Sequence, residues 1–193
     1  MTIEKMCEKI RAKFCSDVTH YESNYSDLTI VANGSILVEM VQFLRDDPSL
    51  RFNLLLDIVA VDNLKKHSLG VDDEEYDEDE RFEVVYIFNS TIYNHRIRVK
   101  IVLPEDNPSV STLTGIYGSA NWGEREAYDL MGIHFEGHPN LKRILTHYKF
   151  KGHALRKDYA VDKEQWLDET EPLIDEVLLR LKERKIEVRL EDS

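Results

Sequence analysis

The first fifty residues alternate between helical and strand-like hydrophobic spacing. An amphipathic helix is predicted by apolar residues that recur at intervals of three and four, namely Ile3, Met6, Cys7, Ile10 and Phe14. Two short strands are predicted next, over residues 18–21 and 28–32, with a turn near Asn24 and Ser26. Ser35 is placed as the N-cap of a second helix, whose apolar face consists of Leu37, Met40, Val41 and Leu44.

Three further strands are predicted between residues 54 and 103. The run 54–61 is apolar almost throughout, which is typical of a strand buried on both faces or nearly so. Residues 82–88 form the next strand, and in the last one Arg96, Arg98 and Lys100 alternate with apolar residues, which indicates a cationic outer face. Short connections favour antiparallel neighbours with both helices on one face. Residues 1–104 are therefore predicted to form an α+β two-layer domain of order α-β-β-α-β-β-β, with a mainly antiparallel sheet.

The regular periodicity is lost after residue 104. Pro108 suits the first position of a third helix that would reach about Tyr117, and Asn121 suits the start of a short fourth helix that ends at Gly132. Residues 105–160 are therefore predicted to form short helices followed by an extended arm, which buries little against itself and needs a partner surface. A charged C-terminal extension, 161–193, carries one more predicted helix near 172–185.

Composition and charge narrow the class of protein. Hydrophobic residues make up 42% of the chain and charged residues 32%, and no run approaches the roughly 20 apolar residues of a membrane span. The net charge of −12 argues against nucleic-acid binding. Eight acids within residues 72–80 mark an acidic insertion over 70–80, expected to be a solvated loop. Residues 121–159, in contrast, have a net charge of +2 and four of the seven histidines, so this basic arm is a candidate contact surface.

Cofactor chemistry finds little support in the sequence. Cys7 and Cys15 are the only cysteines, too few for a cysteine-ligated iron–sulfur cluster or a four-cysteine zinc site. His134 and His138 have the spacing of a helical zinc pair, but the adjacent Gly137 disfavours a helix there. No glycine-rich nucleotide loop is present. A stand-alone metal-dependent enzyme is therefore the distant alternative, and no metal site or independent catalytic residue is predicted.

The densest constellation of charged residues lies on the predicted fourth helix and in the arm. The helix carries Glu124, Arg125, Glu126 and Asp129, and the arm carries Lys142, Arg143, Arg156, Lys157 and Asp158. Two turns are marked by Gly137-His138-Pro139 and by Gly152-His153. Two interpretations stay open: the charges hold the arm onto the domain, or they contact a partner protein. Trp122 is likewise either a core anchor or an interface residue.

The order of these residues resembles the signature of a known family. The string Glu124-Arg125-Glu126-x-x-Asp129-Leu130-x-Gly132-Ile133-x-Phe135-x-Gly137-His138-Pro139-x-Leu141-x-Arg143, continued by Gly152-His153 and Arg156-Lys157-Asp158, is similar to the 30 kDa subunit family (the C subunit) of proton-translocating NADH–quinone oxidoreductase, respiratory complex I. The strands at 81–86 and 96–100 are also similar, so the resemblance covers residues 28–160. Ala154 and Ala160 stand where the family commonly has proline, and the acidic insertion is longer than in the family.

The resemblance implies a non-catalytic subunit of the peripheral arm. It would support assembly and electron transfer from NADH to quinone, coupled to proton translocation, without an active site of its own. Flavin, iron–sulfur clusters and quinone are expected on partner subunits, chiefly the quinone-site large subunit and a cluster-carrying subunit. The chain would then lie on the cytoplasmic side of the bacterial inner membrane, attached only through its partners. The equivalent subunit of a membrane-bound hydrogenase, or of another quinone- or carrier-linked dehydrogenase, is the alternative.

Overall fold

The structure is a computed structural model that describes residues 3–14, 17–24, 27–64 and 81–160, together with Asp162 and Gln165. Apart from Asp162 and Gln165, these residues belong to one compact unit, Met1–Val161. The predicted acidic insertion 70–80, the helix near 172–185 and almost all of the extension 161–193 lie outside the described residues, as does Cys15. The division of the chain at residues 104 and 160 stays a prediction.

The described residues contain three α-helices and seven strands. In chain order they are α1 (Ile3–Phe14), β1 (Val18–Asn24), β2 (Asp27–Ala32), α2 (Leu37–Asp46), β3 (Leu54–Asp62), β4 (Phe82–Ser90), β5 (His95–Leu103), β6 (Ser109–Ser111), α3 (Ala120–Met131) and β7 (His134–Glu136). The predicted order α-β-β-α-β-β-β is confirmed up to β5. The fold class, α+β with a mainly antiparallel sheet, is confirmed as well.

The main sheet has five strands in the order β1-β2-β5-β4-β3. Three neighbouring pairs are antiparallel, and only β2 and β5 run parallel. This parallel pair follows from the topology, because α2, β3 and β4 intervene in the chain between β2 and β5. A separate two-stranded parallel sheet joins β6 to β7.

The helices pack on one face of this sheet, as predicted. The inner face of β4 and β5 is fully buried at Val84, Tyr86, Val99 and Ile101, and it shares one hydrophobic core with α1 and α2. The predicted apolar face of α2 is buried at all four positions. On the outer face, Arg98 donates to Asp27 over 2.8 Å and Lys100 pairs with Glu83 over 2.9 Å, so the predicted cationic face of β5 is confirmed.

Strand β3 differs from its prediction, since it is exposed on one side. Leu54, Leu56 and Val59 are each more than one third exposed, although the run was expected to be buried on both faces or nearly so. The physical reason is its place at the edge of the sheet, where it has a neighbour on one side only, and an irregularity in its pairing between Leu55 and Asp57.

The predicted helix from Pro108 to Tyr117 is wrong. Residues 109–111 form β6, and the backbone continues its pairing when Thr112 N–H donates to the carbonyl of Glu136 over 2.9 Å. The N–H of Leu113 then donates to the side chain of Glu124 over 2.6 Å. These long-range partners satisfy the backbone donors that a helix would have bonded internally, so tertiary contacts override the proline signal.

The ends of the remaining helices are only partly as predicted. Ser35 is not the N-cap of α2, because a short 3₁₀ turn precedes the helix and the side chain of Asn33 accepts the N–H of Ser35 at 3.0 Å. The fourth predicted helix exists as α3, which begins one residue before Asn121 and ends at Gly132 as expected. Its continuation is not a loosely packed arm at first, because Ile133 and Phe135 are buried in the main core.

Candidate functional site

The C-terminal end of α3 is closed by the chain that follows it. An α-helix leaves its last four carbonyl groups without partners inside the helix, and these need other donors. The carbonyl of Tyr128 accepts the N–H of Gly132 at 2.9 Å, and the carbonyl of Leu130 accepts the N–H of Leu155 at 3.1 Å. The arm residue 155 therefore takes the place of a further helical turn.

Three side chains of the arm complete this cap. Arg143 Nη1 and His153 Nδ1 both donate to the carbonyl of Asp129, over 3.2 and 2.9 Å, and Arg156 Nε donates to the carbonyl of Met131 over 2.7 Å. Two guanidinium groups thus stand at the negative end of the helix dipole, where positive charge is stabilising. Burial, together with the neighbouring charges of Arg156 and Arg143, lowers the pKa of His153, so its imidazole is neutral and donates through Nδ1.

The carboxylate of Asp129 organises the turn that begins the arm. Its Oδ2 accepts the N–H groups of Ile144, Leu145 and Thr146 at 2.9, 2.8 and 2.9 Å. Its Oδ1 accepts Arg143 Nη1 at 2.9 Å and the hydroxyl of Thr146. Burial alone would raise the pKa of Asp129, but these hydrogen bonds outweigh it and hold the pKa well below its usual range. Asp129 is therefore ionised and fixes residues 143–146 against α3.

Gly132 is required where the arm crosses the helix end. Its φ is +77°, a left-handed conformation that closes helices and that glycine adopts without strain. A Cβ at this position would lie 2.5 Å from Arg156 Nη2 and 2.6 Å from the ring of His153. Both the backbone angle and the close approach of the arm thus disfavour a larger residue.

A second, buried ion-pair cluster ties the far end of the arm to the sheet. Arg81, almost fully buried, donates to Asp62 through Nε and Nη2 over 3.1 and 2.9 Å, and to Glu105 and Asp158 over 2.6 and 2.9 Å. Asp62 also accepts the backbone N–H of Lys157 at 2.8 Å. Although burial opposes the charge, the hydrogen bonds from Arg81 and Lys157 lower the pKa of Asp62. The cluster joins the end of β3, the residue before β4 and the arm.

The first turns of α3 hold the residues before and after the helix. Glu124 is fully buried and accepts the hydroxyl of Thr112 at 2.5 Å in addition to the N–H of Leu113. Burial raises the pKa of Glu124. His138 accepts the N–H of Asn140 at 3.0 Å through Nδ1, so its Nε2 carries the proton and donates to the carbonyl of Asn121 over 3.2 Å. This fixes the turn that contains Gly137 and Pro139.

The structure brings most of the predicted site residues together, and the contacts that they make are within this chain. Asp129, Gly132, Arg143, Gly152, His153 and Arg156 form the cap of α3, where Gly152 contributes its carbonyl to Arg143 at 2.9 Å. Lys157 and Asp158 belong to the Arg81 cluster, and Arg125 donates to the carbonyl of Lys142 over 3.0 Å. Glu126 and Pro139 are exposed. A role of these residues in docking a partner stays a prediction.

Sequence reasoning missed several residues of the site. Arg81, Asp62 and Glu105 were not singled out, and Thr112 was assigned to a helix. A signal existed for the first two, because each stands directly beside a strongly apolar strand, at the two ends of the 63–80 connection. Charged residues in such positions are buried only when they are paired.

Residues 141–157 form a basic segment that carries exposed lysines and large exposed apolar side chains. Lys142, Lys149, Lys151 and Lys157 are exposed. Leu145, Tyr148 and Leu155 are 62%, 47% and 54% exposed. The basic segment contains six Lys or Arg and no Asp or Glu, so it is far more basic than the wider stretch 121–159 suggests. It therefore presents positive charge and apolar surface side by side.

Among the described residues, no group of three or more His, Cys, Asp or Glu side chains is placed to hold a metal ion. In that same part of the chain, no helix has both the length and the apolar character needed to cross a membrane.

Comparison with known proteins identifies the family. The family described as the 30 Kd subunit of respiratory-chain NADH dehydrogenase matches residues 30–165, well over half of the chain. The C subunit of NADH-quinone oxidoreductase from Rhodospirillum rubrum is 40% identical over 160 residues, which cover 83% of this chain and 69% of that protein. The corresponding proteins of Caulobacter vibrioides and Burkholderia cenocepacia are 44% and 42% identical, over 71% and 82% of this chain and 63% and 77% of their own lengths.

Solved structures agree with this assignment. The trypsin-resistant fragment of Nqo5 is 35% identical and superimposes with a TM-score of 0.59, covering 73% of this chain and all of the fragment. A chain of the membrane-bound sulfane sulfur reductase, an archaeal respiratory membrane complex, shares the fold with a TM-score of 0.64 over 98% of this chain and 95% of its own, at 20% identity. The chain therefore belongs to the family of the 30 kDa subunit of respiratory-chain NADH dehydrogenase.

Proposed function

We propose that this chain is a structural subunit of the peripheral arm of an NADH–quinone oxidoreductase and that it carries no redox cofactor or catalytic residue of its own. The proposal rests on one observation, which is that the signature residues make contacts within the chain and position an exposed surface. Asp129, Arg143, His153 and Arg156 all serve to close α3, and they leave the basic segment fixed and exposed. Such an arrangement is suited to holding a neighbour and not to reacting with a substrate.

A rigid contact of this kind has a function in electron transfer. The reaction from NADH through flavin and iron–sulfur clusters to quinone depends on the distances between redox groups and on the shape of the quinone pocket, and both are set by how the subunits are held. The partners would be the quinone-site large subunit and a cluster-carrying subunit. In a bacterial cell the chain would lie on the cytoplasmic side of the inner membrane, bound through these partners.

The basic segment supports this role because its backbone is fixed before binding. The turn at 144–146 is held by Asp129 and residue 155 by the carbonyl of Leu130. A pre-ordered surface loses less conformational entropy on binding, so more of the contact energy appears as affinity. Trp122, 66% exposed, lies close to this surface, since Arg125 stacks 5.4 Å from its ring and donates to the carbonyl of Lys142. Exposed tryptophan is a frequent anchor of protein interfaces.

Affinity purification from native membranes in mild detergent tests the proposal. The tagged full-length chain should recover an assembly that oxidises NADH and contains flavin and iron–sulfur clusters. The isolated chain should contain neither in stoichiometric amount and should show no turnover. A flavin, metal or cluster bound to the isolated chain would refute the cofactor-free role, and recovery of the chain alone would refute membership of the assembly.

A related assembly remains the second candidate. This candidate is supported by the fold match to a chain of an archaeal respiratory membrane complex, since the fold then also occurs outside NADH dehydrogenases. The same purification separates the two possibilities: NADH-binding and flavin subunits indicate an NADH–quinone oxidoreductase, whereas a nickel–iron subunit indicates a membrane-bound hydrogenase.

A further inference from the structure

The basic segment, residues 141–157, concentrates positive charge in a chain that is otherwise strongly acidic. It has six Lys or Arg and no acid, whereas the whole chain has a net charge of −12, so the remaining residues carry −12 − 6 = −18. Arg143 and Arg156 turn inward to cap α3, where their charges face helix carbonyls. The charges that face solvent are those of the exposed Lys142, Lys149, Lys151 and Lys157.

Large apolar side chains are interspersed with these lysines. Leu145, Tyr148 and Leu155 are about half exposed or more, although side chains of this size gain free energy from burial. Two of them cannot turn inward by rearranging their backbone, because the N–H of Leu145 is bound to Asp129 and the N–H of Leu155 to the carbonyl of Leu130. The structure therefore fixes the backbone that presents Leu145 and Leu155 to solvent.

We infer that the basic segment docks on an acidic protein surface that provides apolar recesses for Leu145, Tyr148 and Leu155 and carboxylates for Lys142 and Lys149. This inference rests on the proposed function and specifies the chemistry of the partner. Opposite charges on the two faces guide the encounter and select the correct partner, while the apolar side chains supply most of the affinity.

An anionic membrane is the less suitable counterpart. Surface-binding segments usually form amphipathic helices with one apolar face, which can adapt to a fluid bilayer. The basic segment contains turns and no helix, and its backbone at 144–146 is fixed by hydrogen bonds to Asp129 of α3. A fixed pattern of this kind matches a surface that is equally fixed, as that of a folded protein.

Zero-length crosslinking of the purified assembly tests the inference directly. A carbodiimide joins a lysine amine to a carboxylate only when the two are in contact. Peptide mapping should find Lys142 and Lys149 joined to Asp or Glu residues of a different subunit. Links from these lysines to acids of the same chain or of a second copy, or the absence of links in an intact assembly, would overturn the inference while leaving membership of the assembly in place.

A charge-reversal experiment adds a quantitative measure. The variant K142E/K149E is compared with the control K5E/R51E, which makes the same change in net charge at exposed positions outside the basic segment. At about 50 mM salt the first variant should be released from the assembly at least about tenfold more readily than wild type, and the difference should fall to within about threefold near 1 M salt. The control should follow wild type at both salt concentrations.

The other outcomes are also decisive. Equal behaviour of the two variants would overturn the acidic-partner inference. Binding of the purified chain to vesicles that contain anionic phospholipid, lost in K142E/K149E and kept in K5E/R51E, would identify a membrane as the counterpart and would overturn it too. If the wild-type chain never enters an NADH-oxidising assembly, the proposed function fails instead, so the two failures are distinguishable.

Discussion

Replacing Asp129 with Asn is the most informative change, because it keeps the size of the side chain and removes its charge. The carboxylate accepts five hydrogen bonds, and an amide in its place turns one oxygen into a donor that faces other donors. Loss of one partner from a buried ion pair costs about 3–5 kcal/mol. Since the turn at 144–146 lies near solvent, with Leu145 62% exposed, water partly replaces the lost acceptor. We therefore expect a cost near the lower end, about 3 kcal/mol.

Two measurements check this expectation. For a chain of this length, about 3 kcal/mol corresponds to a decrease in melting temperature of roughly 6–12 °C. The basic segment should also open locally, which limited trypsin digestion detects at Lys142, Lys149 and Lys151. A change of about 3 kcal/mol in the opening equilibrium raises the cleavage rate by about a hundredfold when opening is fast compared with cleavage.

Glu126→Gln is the matched control, since Glu126 lies on the same helix, undergoes the same change in charge and is exposed. It should change the free energy of unfolding by less than about 0.5 kcal/mol. The pH dependence gives a further check. The pKa of Asp129 is lowered from its ordinary value of 3.8, so its stabilisation is present above that pH and is lost as the pH falls below it. The difference between wild type and Asp129→Asn should therefore shrink in acid. A cost under about 1 kcal/mol with unchanged trypsin cleavage would refute the role of Asp129.

Three further changes test other parts of the fold, each by urea unfolding. Gly132→Ala should lower the free energy of unfolding by about 2–3 kcal/mol, because of the positive φ at this position and the atoms that a Cβ would meet. The control Gly115→Ala, with no atom within 4 Å of the added Cβ, should leave it nearly unchanged. Glu124→Gln should lower the free energy of unfolding by less than about 1 kcal/mol near pH 5. Since burial raises the pKa of Glu124 from 4.5, wild type should lose stability relative to this variant as the pH rises through the raised value. A constant difference between the two proteins from about pH 4.5 to 8 would contradict this. Arg81→Met should lower the free energy of unfolding by about 3–5 kcal/mol, because it leaves the buried charge of Asp62 without its partner. Adding Asp62→Leu should restore part of this stability, because it removes the unpaired charge.

The elements that could be predicted from the sequence are those with local signals. The apolar faces of α1 and α2 and the alternation in β4 and β5 follow from spacing alone, since each element buries one side against a single core. The end of α3 could be predicted because Gly132 is a strong local stop signal. In these cases the periodicity of the chain and the tertiary structure agree.

The remaining features depend on contacts between residues far apart in the chain. Nothing near Leu54 indicates that β3 lies at an edge, because strand order is a property of the whole sheet. Strand β6 exists because it pairs with β7 further along the chain, and because Glu136 and Glu124 bind residues 112 and 113 just beyond it. The roles of Asp62 and Arg81 likewise arise only when both ends of the 63–80 connection meet the arm at residues 157 and 158. Local propensity has no access to these pairings.

Substitutions in the basic segment, or in the residues that hold it, can weaken assembly in two ways, by loosening the segment or by removing charges that contact the partner. The placement of the signature residues allows the two effects to be distinguished. Asp129, Arg143 and Arg156 face inward, so changing them loosens the basic segment without altering the charge that a partner meets. Assembly should then weaken by a factor set by the fraction of chains with an opened segment, and this factor should be largely independent of salt. Changes at the exposed Lys142 and Lys149 should instead alter the salt dependence and leave trypsin cleavage of the free chain at the neighbouring Lys151 unchanged. A variant of Asp129 whose assembly defect disappears at high salt would show that its role is electrostatic contact and not preorganisation.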